Sequence, residues 1–320
     1  MTTSKKESSL NKKSLLQKLK KLAIYSKKHW FIYMLVLPGL ISMIIFNYGP
    51  MYGIQLAFKD YSIKKGIWGS DWVGLKHFAN MFQDKVFLNA FKNTIIINLY
   101  TLLFGFTFNV FLALMLNEMR MKRVKAVVQT FAYLPYFLSW VIFAGLVQNF
   151  LSTDAGGVVN QIIVACGGEA IDFLKRPDLF RGILVITNII KTAGYSSIIY
   201  LAAIAGINPV LYESAAMDGA HRGHMLRYIT IPRILPSVVI MFTLQLASLF
   251  VSNFDQVYNL YSNYVLSTGD VVSTYIYRSA LVNGDYELST AMNLILNTMG
   301  MIVVICSNKF TKKLDVMGIF

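Results

Sequence analysis

Residues 94–116 read TIIINLYTLLFGFTFNVFLALML, a stretch that contains no charged side chain. An α-helix needs about 20 apolar residues to cross the hydrocarbon core of a bilayer, and this stretch is long enough to do so. A helix also satisfies its own backbone polar groups, which the core of a bilayer requires. We therefore predict a membrane-spanning helix at these residues.

Five further segments meet or approach the same length of apolar sequence: 30–50, 127–151, 182–204, 235–257 and 289–307. The first is interrupted by Pro38 and Gly39, and the last contains Asn293 and Asn297. Such breaks are tolerated in a span where neighbouring helices satisfy the freed backbone groups. The sequence therefore predicts an all-α integral membrane protein with six transmembrane helices.

The composition of the whole chain agrees with that prediction. Of its 320 residues, 55% are hydrophobic and 14% are charged, and the mean hydropathy is +0.52. A soluble domain carries about 25% charged residues. So much apolar surface excludes an ordinary soluble protein.

The net charge of +14 is spread unevenly along the chain. Nine lysines crowd residues 1–29, and ten more basic residues fall in 117–126, 205–234 and 308–320, so these segments hold 19 of the 30. Basic residues beside spans mark the cytoplasmic side of a membrane. We therefore predict that both termini are cytoplasmic, and the charge needs no nucleic acid to explain it.

The predicted domains are a cytoplasmic segment, residues 1–29, and a six-span membrane domain, residues 30–320. Within residues 10–28, leucines recur at helical spacing among the lysines. This pattern predicts an amphipathic basic helix on the inner membrane surface, where lysines favour anionic lipid. The leucines are Leu15, Leu16, Leu19 and Leu22.

Residues with metal or redox chemistry are few. Cys166 and Cys306 cannot by themselves form a disulfide framework or a metal site. His221 and His224 lie three residues apart with no further His or Cys nearby, so a solvated loop is the better interpretation. The chain also has no Gly-x-x-x-x-Gly-Lys-Ser/Thr loop, so it is not expected to bind ATP in that manner.

The predicted inner loop, residues 205–234, is unusually long. Residues 211–232 read LYESAAMDGAHRGHMLRYITIP. Pro209 and Glu213 are typical of a helix start, and Gly219 permits a sharp turn. A second short helix is expected to run to Tyr228, with Pro232 and Pro236 leading into the next span. The predicted helix–turn–helix, with its small residues Ser214, Ala215 and Ala216, suits docking into a groove on another protein.

This loop resembles the EAA motif of permease subunits of bacterial ABC importers. The matching residues are Glu213, Ala215, Gly219, Ile229, Ile231 and Pro232. Two departures are mild: Ser214 stands where Ala is usual, and Ile231 stands where Leu is usual.

Further stretches are similar to the MalF-like branch of that family, whose transmembrane domain is MetI-like. They are WVGLKHF at 72–78, KTAGY at 191–195, NFDQVYN at 253–259 and DVVSTYIYR at 270–278. Together they resemble Gram-positive oligosaccharide permeases of the LplB type. The resemblance covers residues 30–320 and implies a multi-pass protein of the bacterial cell membrane.

The family resemblance implies a role for the loop and a set of partners. The helix after Glu213 is expected to be the coupling helix, seated in a cleft of an ATPase subunit, with Glu213 meeting a basic group there. The implied coupling residues are Glu213, Ser214, Ala215, Ala216, Asp218, Gly219 and Ala220. The implied partners are a second, different permease subunit, two ABC ATPase subunits that bind ATP and Mg, and an extracellular solute-binding lipoprotein. The chain itself is expected to be no enzyme and to hold no cofactor.

Polar residues in the predicted spans are candidates for an oligosaccharide path. A buried ionisable residue in a span is costly and usually functional. Lys191 lies within the fourth span and Asp255 near the outer end of the fifth, so the two could form a salt bridge between helices or contact the substrate. Amides and aromatic rings suit sugars, and the remaining candidates are Tyr195, Asn253, Gln256, Asn293 and Asn297.

Three alternatives compete with this interpretation. A secondary transporter or channel would leave residues 211–232 without a role. A membrane-embedded transferase would want acids or histidines clustered at the membrane surface, and none have plausible spacing. An ABC importer for a peptide or amino acid keeps the mechanism and changes the solute.

Overall fold

The computed structural model describes Tyr25 and residues 28–154, 156–251 and 253–313. The predicted surface helix at residues 10–28 and the end of the chain after residue 313 lie almost wholly outside these residues. The chain divides into two compact units, Met1–Gln55 and Leu56–Phe320.

In the first unit, helix α1 spans Trp30–Met43 and is followed by a π-helical turn at Ile44–Tyr48. A 3-10 helix, Gly49–Phe58, continues into the second unit. The whole stretch from Trp30 to Phe58 is apolar enough to cross a membrane. The predicted span 30–50 is thus confirmed as a candidate membrane helix and is longer than expected.

The second unit begins with a small hairpin. Strands β1 (Lys59–Asp60) and β2 (Asp71–Trp72) pair antiparallel, with Lys59 opposite Trp72. The short helix α2 (Gly66–Gly69) lies in the connection, and α3 (Lys76–Gln83) follows the hairpin.

Two spans come next, and one of them is broken. Helix α4 (Lys85–Tyr100) continues through a π-helical turn at Thr101–Gly105 into α5 (Phe106–Glu118), which confirms the span predicted at 94–116. The predicted span 127–151 is instead two helices, α6 (Lys122–Phe137) and α7 (Trp140–Leu151), bent by 109°. We call this bend the elbow. Ser139 starts α7 by accepting the Ile142 N–H at 3.3 Å.

The fourth span is a single long helix. Helix α8 (Val158–Ala165) and a 3-10 turn at Phe173–Lys175 lead into α9 (Pro177–Ala205). Pro177 stands at the first helical position, where its missing N–H leaves no bond unmade. Helix α9 contains ten buried residues and is the most enclosed of the candidate spans.

The fifth span differs from the prediction at both ends. Helix α10 (Val210–Met217) precedes the span. One apolar stretch then continues through four elements: α11 (Arg222–Met225), a π-helical turn at Leu226–Thr230, α12 (Ile231–Leu246) and a 3-10 turn at Ala247–Phe250. The predicted bounds 235–257 and the separate helix ending at Tyr228 were therefore wrong. Pro232 lacks an N–H, and the π-helical turn before it absorbs that irregularity inside a continuous helix.

Short helices follow before the last span. They are α13 (Phe254–Leu260), α14 (Leu266–Gly269) and α15 (Val272–Tyr277), with a 3-10 turn at Asn263–Val265 and a π-helical turn at Arg278–Val282. Helix α16 (Tyr286–Lys313) is the final span. The described residues thus give five long apolar helices, or six spans if the elbow pair crosses as one.

Candidate functional site

A cavity of about 430 Å³ lies between the α4–α5 helix, α9 and the end of α12. Nine of its fourteen lining residues carry neutral polar side chains. The lining residues are Asn98, Thr101, Leu102, Gly105, Phe106, Asn109, Asn188, Thr192, Ser196, Gln245, Ser248, Leu249, Val251 and Asn253. No charged side chain of the described residues is among them.

The cavity wall follows helical spacing. On α9, Asn188, Thr192 and Ser196 recur every four residues and so lie on one face. A second polar row on the α4–α5 helix runs from Asn98 to Asn109, about 16 Å along the helix axis at 1.5 Å per residue. This periodic polar stripe is the signal that sequence reasoning missed.

Protein contacts hold part of the lining in place. Asn98 donates from Nδ2 to the Leu249 carbonyl at 2.8 Å, where the fifth span ends. Asn188 donates from Nδ2 to Gln256 Oε1 at 3.1 Å, and Thr192 Oγ1 donates to the Asn188 carbonyl at 2.8 Å.

One hydrogen-bond acceptor in the wall has no partner among the described residues. The side-chain oxygen Oδ1 of Asn109 is buried and has no hydrogen-bond partner among the described residues. A buried acceptor without a partner costs about 1–3 kcal/mol. A ligand hydroxyl that reached this oxygen would recover that free energy.

The predicted path residues of the NFDQVYN stretch divide between cavity and packing. Asn253 lines the cavity and caps α13 by accepting the Gln256 N–H at 3.3 Å. Gln256 is buried beneath α9, where Nε2 donates to the Leu184 carbonyl at 2.6 Å and to Thr187 Oγ1 at 3.0 Å. Asp255 is exposed on α13, beyond the end of the fifth span.

Lys191 is directed at the elbow. Its Nζ donates to the carbonyl oxygens of Pro135 at 3.0 Å and Tyr136 at 3.2 Å, and to that of Leu138. It lies 5.2 Å from the ring centre of Trp140. The side chain is 5% exposed, and no ion pair among the described residues joins it to Asp255. The suggested Lys191–Asp255 salt bridge is therefore not formed.

The other predicted path residues also lie apart from the cavity. The ring of Tyr195 stacks on Tyr136 with centroids 3.9 Å apart and planes 4° from parallel. Asn297 Nδ2 donates to Asn293 Oδ1 at 2.9 Å on an exposed part of α16. The predicted cluster is thus not assembled, and Asn253 is its one member in the cavity wall.

The 205–234 loop forms the turn that its sequence predicts. Helix α10 begins after Pro209, and Gly219 adopts a φ of 78°, the left-handed conformation that favours glycine. The Gly219 N–H donates to the Ala216 carbonyl at 3.1 Å, and the Ala220 N–H donates to the Ala215 carbonyl at 2.9 Å. This pair of bonds is a Schellman motif, which ends α10 at a defined residue.

Contacts on both sides fix this turn to the spans. The Tyr212 hydroxyl lies 2.9 Å from Thr230 Oγ1, across the turn. Arg222 Nη1 lies 3.8 Å from Glu118 Oε2, at the end of α5. Leu211 packs with Ile234 and other residues at the ends of three spans. These contacts attach the turn to the ends of the flanking spans.

The opposite face of α10 is exposed. Glu213, Ser214, Ala216 and Asp218 are all exposed, whereas Ala215 and Ala220 are half-buried. Met217 is 89% exposed at the end of the helix. Met217 is not among the coupling residues that the family resemblance implies, and it adds a flexible apolar side chain to the exposed face of α10.

A paired polar network closes the connection before the last span. Asp270 is buried and accepts from Arg278 Nη1 at 3.0 Å and from Arg278 Nη2 at 2.5 Å. This pairing raises the pKa of the Arg278 guanidinium. Burial, and a hydrogen bond from its hydroxyl to Asp84, raise the pKa of Tyr275.

A bundle of apolar helices around an uncharged polar cavity is the architecture expected of a membrane permease. The chain belongs to the family described as binding-protein-dependent transport system inner membrane components, which matches residues 105–314. It is therefore a multi-pass cell-membrane protein and a permease component of an ABC importer.

Relatives of known class match this chain along nearly its full length. The chain is 39% identical over 304 residues to the polygalacturonan/rhamnogalacturonan transport system permease protein YteP of Bacillus subtilis (strain 168), covering 95% of this chain and 94% of that protein. It is 37% identical over 294 residues to Protein LplB of the same organism, covering 92% of each. The resemblance to permeases of the LplB type is thereby confirmed.

Solved structures agree as well. A chain of a bacterial alginate ABC transporter, in complex with an alginate pentasaccharide-bound periplasmic protein, matches with a TM-score of 0.83 at 40% identity. That match covers 92% of this chain and 98% of the other.

Proposed function

We propose that this chain forms the translocation path for an oligosaccharide and couples its import to a separate ATPase. The observation that carries the proposal is the 430 Å³ cavity, whose wall of neutral amides and hydroxyls lies among apolar spans. Charged groups are absent from that wall in the described part of the chain.

The chemistry of the wall suits a sugar. Each hydroxyl of a sugar both donates and accepts a hydrogen bond, and amides and hydroxyls do the same without fixing a charge. Phe106 in the wall offers an apolar ring to the carbon face of a sugar. Relatives named for polygalacturonan, rhamnogalacturonan and alginate support this substrate class.

The turn at Gly219 is the proposed coupling element. Its exposed face, from Glu213 to Asp218, would seat in a cleft of the ATPase, and both chain termini would lie on that cytoplasmic side. ATP and Mg would be bound by the partner subunits, so this chain would hold no cofactor and hydrolyse nothing itself. The fixed contacts Tyr212–Thr230 and Arg222–Glu118 support transmission of the motion to the spans.

The proposed assembly contains a second, different permease subunit, two ATPase subunits and an extracellular solute-binding lipoprotein. Family membership supports the binding protein and the ATPase. Because six spans are few for a solute path, the cavity here would be completed by the second permease.

Uptake by the reconstituted complex tests this function. Proteoliposomes that contain the full complex and its binding protein are given labelled oligosaccharides, a peptide and an amino acid, with and without ATP. We expect ATP-dependent uptake of an oligosaccharide alone. Uptake of the peptide or amino acid would overturn the substrate class, and uptake without ATP would indicate a secondary transporter.

Glu213→Ala tests the coupling role, with Glu169→Ala as the matched control. Both carboxylates are exposed, and Glu169 lies in the connection between α8 and α9. We expect Glu213→Ala to lower co-purification of the ATPase and uptake by about tenfold, the loss of one charged hydrogen bond. Equal behaviour of the two variants would remove Glu213 from the coupling surface.

A further inference from the structure

The KTAGY stretch, residues 191–195, lies where α9 meets the elbow between α6 and α7. Lys191 donates to three backbone carbonyls at the end of α6. The last carbonyls of a helix lack partners within the helix and carry its negative pole. The Lys191 ammonium therefore supplies both the hydrogen bonds and the charge that the broken span needs.

Two more residues of the stretch hold the same contact. A Cβ at Gly194 would overlap with the backbone carbonyl of Ala132 in α6, so glycine permits the two helices to approach this closely. One residue on, Tyr195 stacks face to face on Tyr136. We call Lys191, Gly194 and Tyr195 with their α6 partners the elbow latch.

Helix α9 joins the latch to the other two functional regions. Asn188 and Thr192, on a neighbouring face of α9, line the cavity. The same helix ends at Ala205, a few residues before α10 begins at Val210. A displacement of the α10 turn therefore acts on the helix that carries both the cavity wall and the latch.

We propose that the elbow latch makes α6 and α9 move as one body, so that the broken span follows α9 during each transport cycle. Lys191 is then a positioning residue for translocation and touches no substrate. This inference rests on the proposed coupling of the α10 turn to an ATPase. Without the latch, α9 would still respond to the ATPase, but the elbow would stay behind and the path would not open fully.

The first experiment compares two pairs of variants in the complete reconstituted complex. Lys191→Met is matched by Lys92→Met, an exposed lysine on α4, and Gly194→Ala is matched by Gly182→Ala, a site on α9 where a Cβ meets nothing within 4 Å. The measured quantity is the number of solute molecules imported per ATP hydrolysed, for equal amounts of assembled complex.

We expect Lys191→Met and Gly194→Ala to keep ATP hydrolysis and to lower solute imported per ATP at least tenfold. The control variants should match the unmodified protein. A residue that only supports folding would lower uptake and hydrolysis together and leave their ratio unchanged, and that result would overturn the proposal. Absence of ATP hydrolysis in the unmodified complex would instead contradict the proposed coupling.

A second experiment tests whether α6 and α9 move together if the Lys191→Met variant does not assemble into the complex. Cysteines replace Tyr136 and Tyr195, and serines replace the exposed Cys166 and Cys306. A short bis-maleimide then bridges the new pair, because each cysteine thiol adds across one maleimide double bond without any oxidant. If the two helices move together, the bridge forms readily and solute imported per ATP is preserved or raised. A bridge that does not form, or one that stops uptake, shows that the helices separate and overturns the proposal.

Discussion

The cavity and the elbow latch adjoin neighbouring faces of the same helix, α9. They differ in whether their buried polar groups are hydrogen-bonded to protein. At the latch, the Lys191 ammonium is used by three backbone carbonyls. In the cavity, Asn109 keeps a buried oxygen without a partner among the described residues. The contrast is between a buried polar group that makes three hydrogen bonds to protein and a buried acceptor that makes none among the described residues.

That difference gives a rule that substitution can test. Where polar groups are paired with protein, an apolar substitution should destabilise the fold, because partners are left buried and unsatisfied. Where a buried polar group has no protein partner, the same change should stabilise the protein, and it should weaken transport if that group binds the solute.

Asp270→Asn removes the charge of the buried Asp270 from its ion pair with the half-buried Arg278. We expect a loss of about 3 kcal/mol, the upper end for hydrogen bonds to charged groups, because Arg278 keeps some access to water. Asp71→Asn is the control, since Asp71 pairs with Lys65 at 2.8 Å on the surface. Exposed pairs contribute at most about 1 kcal/mol. Chemical unfolding of the purified protein in detergent measures both, and similar losses would contradict the assignment.

Gln256→Leu breaks the amide contacts that join α13 to α9. We expect a loss of about 2–3 kcal/mol, since the Leu184 carbonyl and the Asn188 amide lose their partner. Gln256 was predicted as a path residue, so uptake kinetics are informative as well. A lower stability with an unchanged KM for uptake supports a structural role. A raised KM at normal stability would instead indicate that Gln256 contacts the solute.

The prediction of spans and loop from sequence succeeded where the signal was local. Apolar stretches of sufficient length located the membrane helices, because a span needs about 20 predominantly apolar residues in sequence. Gly219 located the turn, because glycine adopts the left-handed backbone without a steric penalty. The EAA motif identified the family because all of its residues lie within one short loop, so its signal is local as well.

The misses involve contacts between distant residues. The break at residues 138–139 is stabilised by Lys191, more than 50 positions away, and no local pattern shows that. Polar residues in spans gave no sign of whether they were paired, so Lys191 and Tyr195 were predicted for the path while Asn188 and Thr192 were not. The helical periodicity of the cavity wall was the one available signal.

Asn109→Leu tests the cavity side of the comparison with a side chain of similar shape. Removal of an unsatisfied acceptor should raise stability by about 1 kcal/mol. Uptake should fall by about tenfold, equivalent to one hydrogen bond to the solute. Asn149→Leu, at an exposed position on α7, should leave uptake unchanged. A destabilised Asn109→Leu variant would mean that its oxygen is paired within the protein.

Met217→Ala completes the series with an expected stability change near zero. Its side chain is 89% exposed and contributes little to packing, so unfolding should shift by less than about 0.5 kcal/mol. Binding should nevertheless change, because a flexible apolar side chain at the end of α10 is suited to fill a groove on the ATPase. We expect about tenfold less ATPase to co-purify, while Met121→Ala, at a methionine 67% exposed, retains it. If both variants retain the ATPase, docking depends on the polar face of α10 that contains Glu213, and the apolar tip has no part in it.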